Sequence, residues 1–191
     1  MNRYLNYLFG LHSRILVVRL DLSFRVDSKY RSDLDLCRSA LDRLLRNKAH
    51  NSMFDHLVGY VWRLELGEQN GWHYHCMFFF DGAKRRMDIP LADGIGEYWR
   101  DLITDGEGSY WNCNRHKSEY ERFDRLGIGM VHHADESMRD GLERAAQYLC
   151  KMDRNLLRAY PDGLPTRRWF GRGEISAERS SKPRLGRPRT C

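Results

Sequence analysis

Residues 15–24, "ILVVRLDLSF", open as an apolar run and then alternate, with Leu20, Leu22 and Phe24 set against Asp21 and Ser23. Period two over that length predicts a strand. Asp27 and Ser28 then offer an N-cap for "YRSDLDLCRSALDRLLRN", in which Leu34, Cys37, Leu41, Leu44 and Leu45 recur at helical spacing. Residues 56–66 alternate again, placing Val58, Tyr60, Trp62, Leu64 and Leu66 on one face. The loop "GEQNG" turns the chain into "GWHYHCMFFFDG", a third strand. A helix is expected around 93–103, a polar loop over 105–126 and a short fourth strand in "GIGMVHH". Asp135 caps a last amphipathic helix whose stripe is Met138, Leu142, Ala145, Leu149 and Met152.

This order, β-α-β-β-α-β and then a helix, predicts an α+β fold: a ferredoxin-like split βαβ with an antiparallel sheet. Helices pack on one face and leave the other to carry a site. Residues 1–175 form the expected domain. Residues 176–191, "SAERSSKPRLGRPRTC", hold five basic residues and one acidic among Ser, Pro and Gly, which cannot build a core. This tail supplies most of the net charge of +6, and such a tail suits a polyanion. Five cysteines without paired spacing predict free thiols in a reducing cytoplasm. "MNRYLNYLFGLHSR" lacks a cleavage site, so no secretion signal is read there. Apolar runs fall short of a membrane span, so no membrane association is expected.

The chemistry is concentrated on the third strand. Alternation sends Trp72, Tyr74, Cys76 and Phe78 to the core and His73, His75 and Met77 to the opposite face. The loop Gly67–Gly71 is symmetric about Gln69, so the hairpin pairs Glu65 with His73 and Arg63 with His75. With eight histidines in the chain, one His-x-His is an ordinary event. A same-face carboxylate one hairpin away adds to it, and the set suits a divalent cation such as Mn²⁺ or Zn²⁺. Glu68 is the other acidic residue close enough in sequence to serve as third ligand. On the last helix, Tyr148 lies at the edge of the apolar stripe between Arg144 and Lys151. A phenol is a nucleophile at neutral pH only when a base, cation or metal favours its anion. Lys151, one turn on, can do that or hold a phosphate.

Taken together, "YVWRLELGEQNGWHYHCMFFFDG" and "AAQYLCKMD" on a split βαβ resemble the HUH endonucleases, the rolling-circle replication initiators and relaxases. Within them the chain looks most like the inovirus gene II protein-like family of phages and prophages. The likeness extends loosely from about Leu16 to Phe170. It implies His73, His75 and Glu65 as ligands of a divalent metal (Mn²⁺ or Mg²⁺), Tyr148 as nucleophile with Lys151 beside it, and a 5′-phosphotyrosyl intermediate. It further implies single-stranded or hairpin DNA as substrate, host replication proteins as partners and a cytoplasmic location in a bacterial host. Arg144 and Met152 stand four positions either side of Tyr148, so the resemblance is to single-tyrosine members. Arg167, Arg168, Trp169 and Phe170 offer DNA contacts without a firm role.

Three other readings compete. The same fold with a dead site would serve as a DNA-binding regulator. Cys113, His116, His132 and His133 offer a structural zinc site. A His-x-His-x-His nucleotidyl hydrolase is disfavoured because Met77 stands at the third position.

Overall fold

The computed structural model describes residues 1–121, 126–151, 154–162 and 168–174. Its centre is the expected split βαβ. Strand β1 (Arg14–Phe24) is followed by helix α2 (Leu34–Asn47), the hairpin β2 (Leu57–Gly67) and β3 (Gly71–Asp81), helix α3 (Asp88–Tyr98) and strand β4 (Gly108–Asn112). The sheet is antiparallel, in the order β4-β1-β3-β2, with β6 (Phe170–Arg172) added beside β2.

The face under α2 and α3 is the larger core. Trp72, Tyr74, Cys76 and Phe78 lie there, each at most 3% exposed, with Leu64 of β2 and Cys37, Leu41 and Leu44 of α2. Each of the Leu and Phe side chains among them contributes about 1.5–3 kcal/mol on burial. The opposite face carries the Glu65/His73/His75 cluster. Its other end is covered as well, by α1 (Asn2–Leu11) and α5 (Glu136–Leu149) packed on Ile15, Val17, Val61, Met77 and Phe79.

Several boundaries differ from expectation. The N-terminal segment is a helix that buries Tyr4, Leu5 and Leu8. Ser28 caps only a 3₁₀ turn at Lys29–Arg31, whereas Asp33 caps α2 by accepting from the Asp35 and Leu36 amides. A bulge between Leu57 and Gly59 turns Val58 onto the second face, away from Tyr60 and Trp62. Helix α3 starts at Asp88 and tolerates Pro90 in its first turn, then continues as a π turn over Trp99–Ile103. Gly96 is needed there because the Tyr110 ring occupies the space a Cβ would take.

The expected loop over 105–126 contains β4, a 3₁₀ turn (Cys113–His116) and the short helix α4 (Lys117–Glu121). Strand β5 (Gly129–His132) is the short strand expected in "GIGMVHH", but it is not the fourth strand of the split βαβ: β4, inside the expected loop, takes that place and β5 is an addition to the sheet. It shares one edge of β1 with β4: β4 pairs Leu20–Phe24 and β5 pairs Arg14–Val17. Asn114, fully buried, spans the gap. Its Oδ1 accepts from the Arg19 amide and its Nδ2 donates to the Val17 carbonyl, both at 2.8 Å. A side-chain amide thus replaces the missing strand residue.

Asp135 caps α5 as expected, through the Met138 amide. The buried stripe of α5 is Gly141, Leu142, Ala146 and Leu149, with Met138 and Ala145 partly covered. Met152, Arg167 and the tail 176–191 lie outside the described residues. Trp169 and Phe170 are taken up by the fold, since Trp169 packs on the larger core and Phe170 pairs with Arg63 in the sheet. Among the described residues, no helix is long and apolar enough to cross a membrane.

Candidate metal centre

The hairpin register is the expected one: Gly67 faces Gly71, Glu65 faces His73 and Arg63 faces His75. Gly71 closes the turn at φ +63°, a conformation that favours glycine. The next strand completes the row, because Asp21 of β1 faces His75 from the other side. Among the described residues, Glu65, His73 and His75 form the one group able to hold a metal ion, their donor atoms all within 4.8 Å of one another. Glu68 stands instead on the wall of a separate cleft past the turn.

Hydrogen bonding decides which nitrogens face a cation. His73 Nδ1 lies 3.0 Å from the Gly71 carbonyl, which can only accept, so Nδ1 carries the proton and Nε2 is left with its lone pair. His75 Nδ1 donates to Asp21 Oδ1 at 2.6 Å, and its Nε2 lies 2.9 Å from Glu65 Oε2. Both imidazoles are therefore held through Nδ1, which leaves Nε2 of each as the nitrogen free to ligate, and that of His75 lies against Glu65. This is the arrangement by which acceptors around a metal site orient its histidines. The donor set and its supports fit a divalent cation.

Electrostatics separates the two rings. Burial pushes His73 below the usual histidine range, so it is neutral and ready to ligate. Burial would also depress His75, but its hydrogen bonds to the Asp21 and Glu65 carboxylates outweigh it and raise the ring to about 9. The hydrogen bond from His75 in turn holds Glu65 below the ordinary carboxylate value. Burial opposes ionisation of Asp21, but its His75 contact prevails and its carboxyl is also lowered. In the metal-free protein His75 is accordingly an imidazolium bridging two carboxylates.

Arg63, 4% exposed, links this cluster to α5. Its guanidinium lies 3.1 Å from Glu65 Oε2, donates to the Tyr148 carbonyl at 3.1 Å and sits 5.3 Å from the centre of the Tyr148 ring. Tyr148 is 48% exposed and, with Lys151 and Arg144, lines an open cleft of about 800 Å³ that also includes His75, Arg19, Glu119 and Tyr120. The cleft thus brings Tyr148 and Lys151 to the histidine strand. Tyr120 is a second phenol there, half-buried under the Arg19 guanidinium, and burial raises its hydroxyl above the tyrosine range.

Asp21, Arg63 and Tyr120 are the residues sequence reasoning missed. Asp21 was readable as the polar alternate of β1, but only strand order puts it beside His75. The alternative zinc ligands are not brought together among the described residues: Cys113 is a buried thiol, His116 stacks on Trp111 and pairs with Glu119, and the His132 ring lies tilted against that of His133. Met77 is fully buried in the second core, which removes any third histidine position. No curated protein and no solved structure matches the chain. A family model does, over residues 1–172, and the chain belongs to the YagK/YfjJ C-terminal domain family.

Proposed function

We propose that the protein is a metal-dependent single-strand DNA nickase and strand transferase of the HUH endonuclease kind, acting through Tyr148. The supporting observation is convergence: two histidines are held through Nδ1 with a carboxylate beside them, and one of the pair, His75, lines a cleft with a solvent-accessible tyrosine. Glu65, His73 and His75 would hold the cation. When bound, it supplies positive charge that polarises a scissile phosphate.

The chain's own groups do the rest. The Tyr148 oxygen gives up its proton and forms a bond to phosphorus as the O3′–P bond breaks. The product is a 5′-phosphotyrosyl link and a 3′-hydroxyl that takes up a proton. Lys151, Arg144 and Arg19 line the cleft and provide positive charge for the phosphates of the bound strand. Arg63 holds the end of α5 against Glu65, fixing the nucleophile's helix to the ligand strand. Tyr120 is the weaker candidate, because its raised hydroxyl makes the anion costlier. With this reading go single-stranded or hairpin DNA as substrate, host replication proteins as partners and a bacterial cytoplasmic location.

The test is covalent capture. Labelled single-stranded and hairpin oligonucleotides incubated with Mn²⁺ should yield a denaturant-resistant protein–DNA adduct. Tyr148→Phe should abolish it and Tyr120→Phe should retain it. DNA binding by the wild type without adduct, in Mn²⁺ and in Mg²⁺, would establish the inactive regulator instead.

A further inference from the structure

We propose that Trp111 and His116 form a stacking platform for an unpaired nucleobase of the strand crossing the metal centre, an inference resting on the DNA-processing reading above. Directly opposed residues of an antiparallel ladder share a face. Arg63 faces His75, His75 faces Asp21, and Asp21 faces Trp111. One straight row across four strands therefore ends on the indole. Neighbouring strands lie about 4.8 Å apart, which puts the Trp111 backbone roughly 10 Å from that of His75.

A single exposed apolar residue needs no explanation in itself. Three features set Trp111 apart. It is 50% exposed although it stands on the face and in the row of the candidate centre. It is already stacked on the His116 ring, with centroids 4.0 Å apart and planes 16° from parallel. His116 is itself steadied by Glu119, 3.4 Å from Nδ1, so the pair is ordered before any ligand arrives. Preorganisation of this kind lowers the entropic cost of capturing a flat ring.

The surroundings select the ligand. β4 ends the sheet, so a strand crossing the centre can run out over Trp111. Arg19, on the adjacent strand, lines the cleft with His75, and Arg115 next to His116 has a largely exposed side chain paired with Asp93. Flat aromatic surface between cations is how proteins hold single-stranded nucleic acid, and stacking of this type tolerates any base. The occupant is a base a short way along the strand from the scissile phosphate.

The test uses Tyr148→Phe as parent, which prevents covalent capture, with fluorescein-labelled oligothymidylate in Mn²⁺. Trp111→Ala should bind about tenfold more weakly and Trp111→Phe within about threefold of the parent. His116→Ala checks that a loss does not come from β4 misfolding, and should also weaken binding. Oligothymidylate should quench the parent's tryptophan fluorescence, whereas an abasic chain of equal length and charge should not. Equal affinity of Trp111→Ala and parent, or of the abasic and thymidine chains, overturns the platform alone. Failure of the parent to bind either chain overturns the DNA reading and the platform with it.

Discussion

Raising the pH of the metal-free protein from 6.5 to 9.5 should weaken it, and His75 should account for most of the loss. The ring is about 14% exposed and touches Asp21 and Glu65 at 2.6 and 2.9 Å, which sets its folded value at about 9 against 6.5 for a free imidazole. Because the folded value is the higher one, the native state binds more protons between those limits. The contribution is fully present below about pH 6.5 and is lost as pH rises through 9. At about 1.4 kcal/mol per pH unit the upper bound is roughly 3 kcal/mol. For a chain of this size that corresponds to a fall of roughly 6–12 °C in Tm. Glu65 and Asp21 are lowered by the same contacts, so their share is the same energy seen from the other side and is not added. Melting curves in EDTA at pH 6.5, 7.5, 8.5 and 9.5 should show this slope in wild type. His75→Gln should start lower and stay nearly flat. Equal slopes in the two proteins would refute the assignment, since other groups would then carry the pH dependence.

Metal binding should be coupled to the same proton: at pH 7 about one proton should leave per Mn²⁺ bound, because His75 must give up its Nε2 proton to ligate. Calorimetry in two buffers of different ionisation enthalpy counts it, and a count of zero would mean that His75 is not a ligand. Gly141→Ala should destabilise the fold by about 3 kcal/mol, read as a shift in urea midpoint, and lower the adduct yield. A Cβ at Gly141, on the helix that carries Tyr148, would run into the Leu126 carbonyl, a backbone group that cannot swing aside.

What could be read from sequence follows from where the interactions are local. The β2–β3 register was legible because five loop residues fix it, and with it came the shared face of Glu65, His73 and His75. The cap at Asp135 was legible for the same reason. The split βαβ itself puts β1 beside β3, but the register between them was not legible, because no short loop joins those strands and nothing near Asp21 in sequence says that it will face His75. Arg63 reads as a solvated alternate on its strand, and only α5 closing over it makes it buried. The N-terminal helix has Tyr4, Leu5 and Leu8 at helical spacing, but no side chain caps its start, so its boundary was hidden. Pro90, Gly94 and Gly96 masked the start of α3 in a similar way, because the tertiary contact with Tyr110 overrides poor helix propensity.

The split edge of β1 links these missed features to the cleft. A single fourth strand would pair β1 from Arg14 to Phe24 and leave no chain over the candidate centre at that edge. Dividing it at Arg19 costs ladder hydrogen bonds, which Asn114 partly replaces at the Val17 carbonyl and the Arg19 amide. Asp88 holds the Asn114 amide through a 2.7 Å hydrogen bond and pairs with Lys117, so the substitution is anchored from α3 as well. The chain released between β4 and β5 then carries His116, Glu119 and Tyr120, all at or beside the cleft. The residues that looked like a polar loop in sequence are thus polar because they wall a cleft on the candidate centre. Their irregularity follows from one buried asparagine doing the work of a strand.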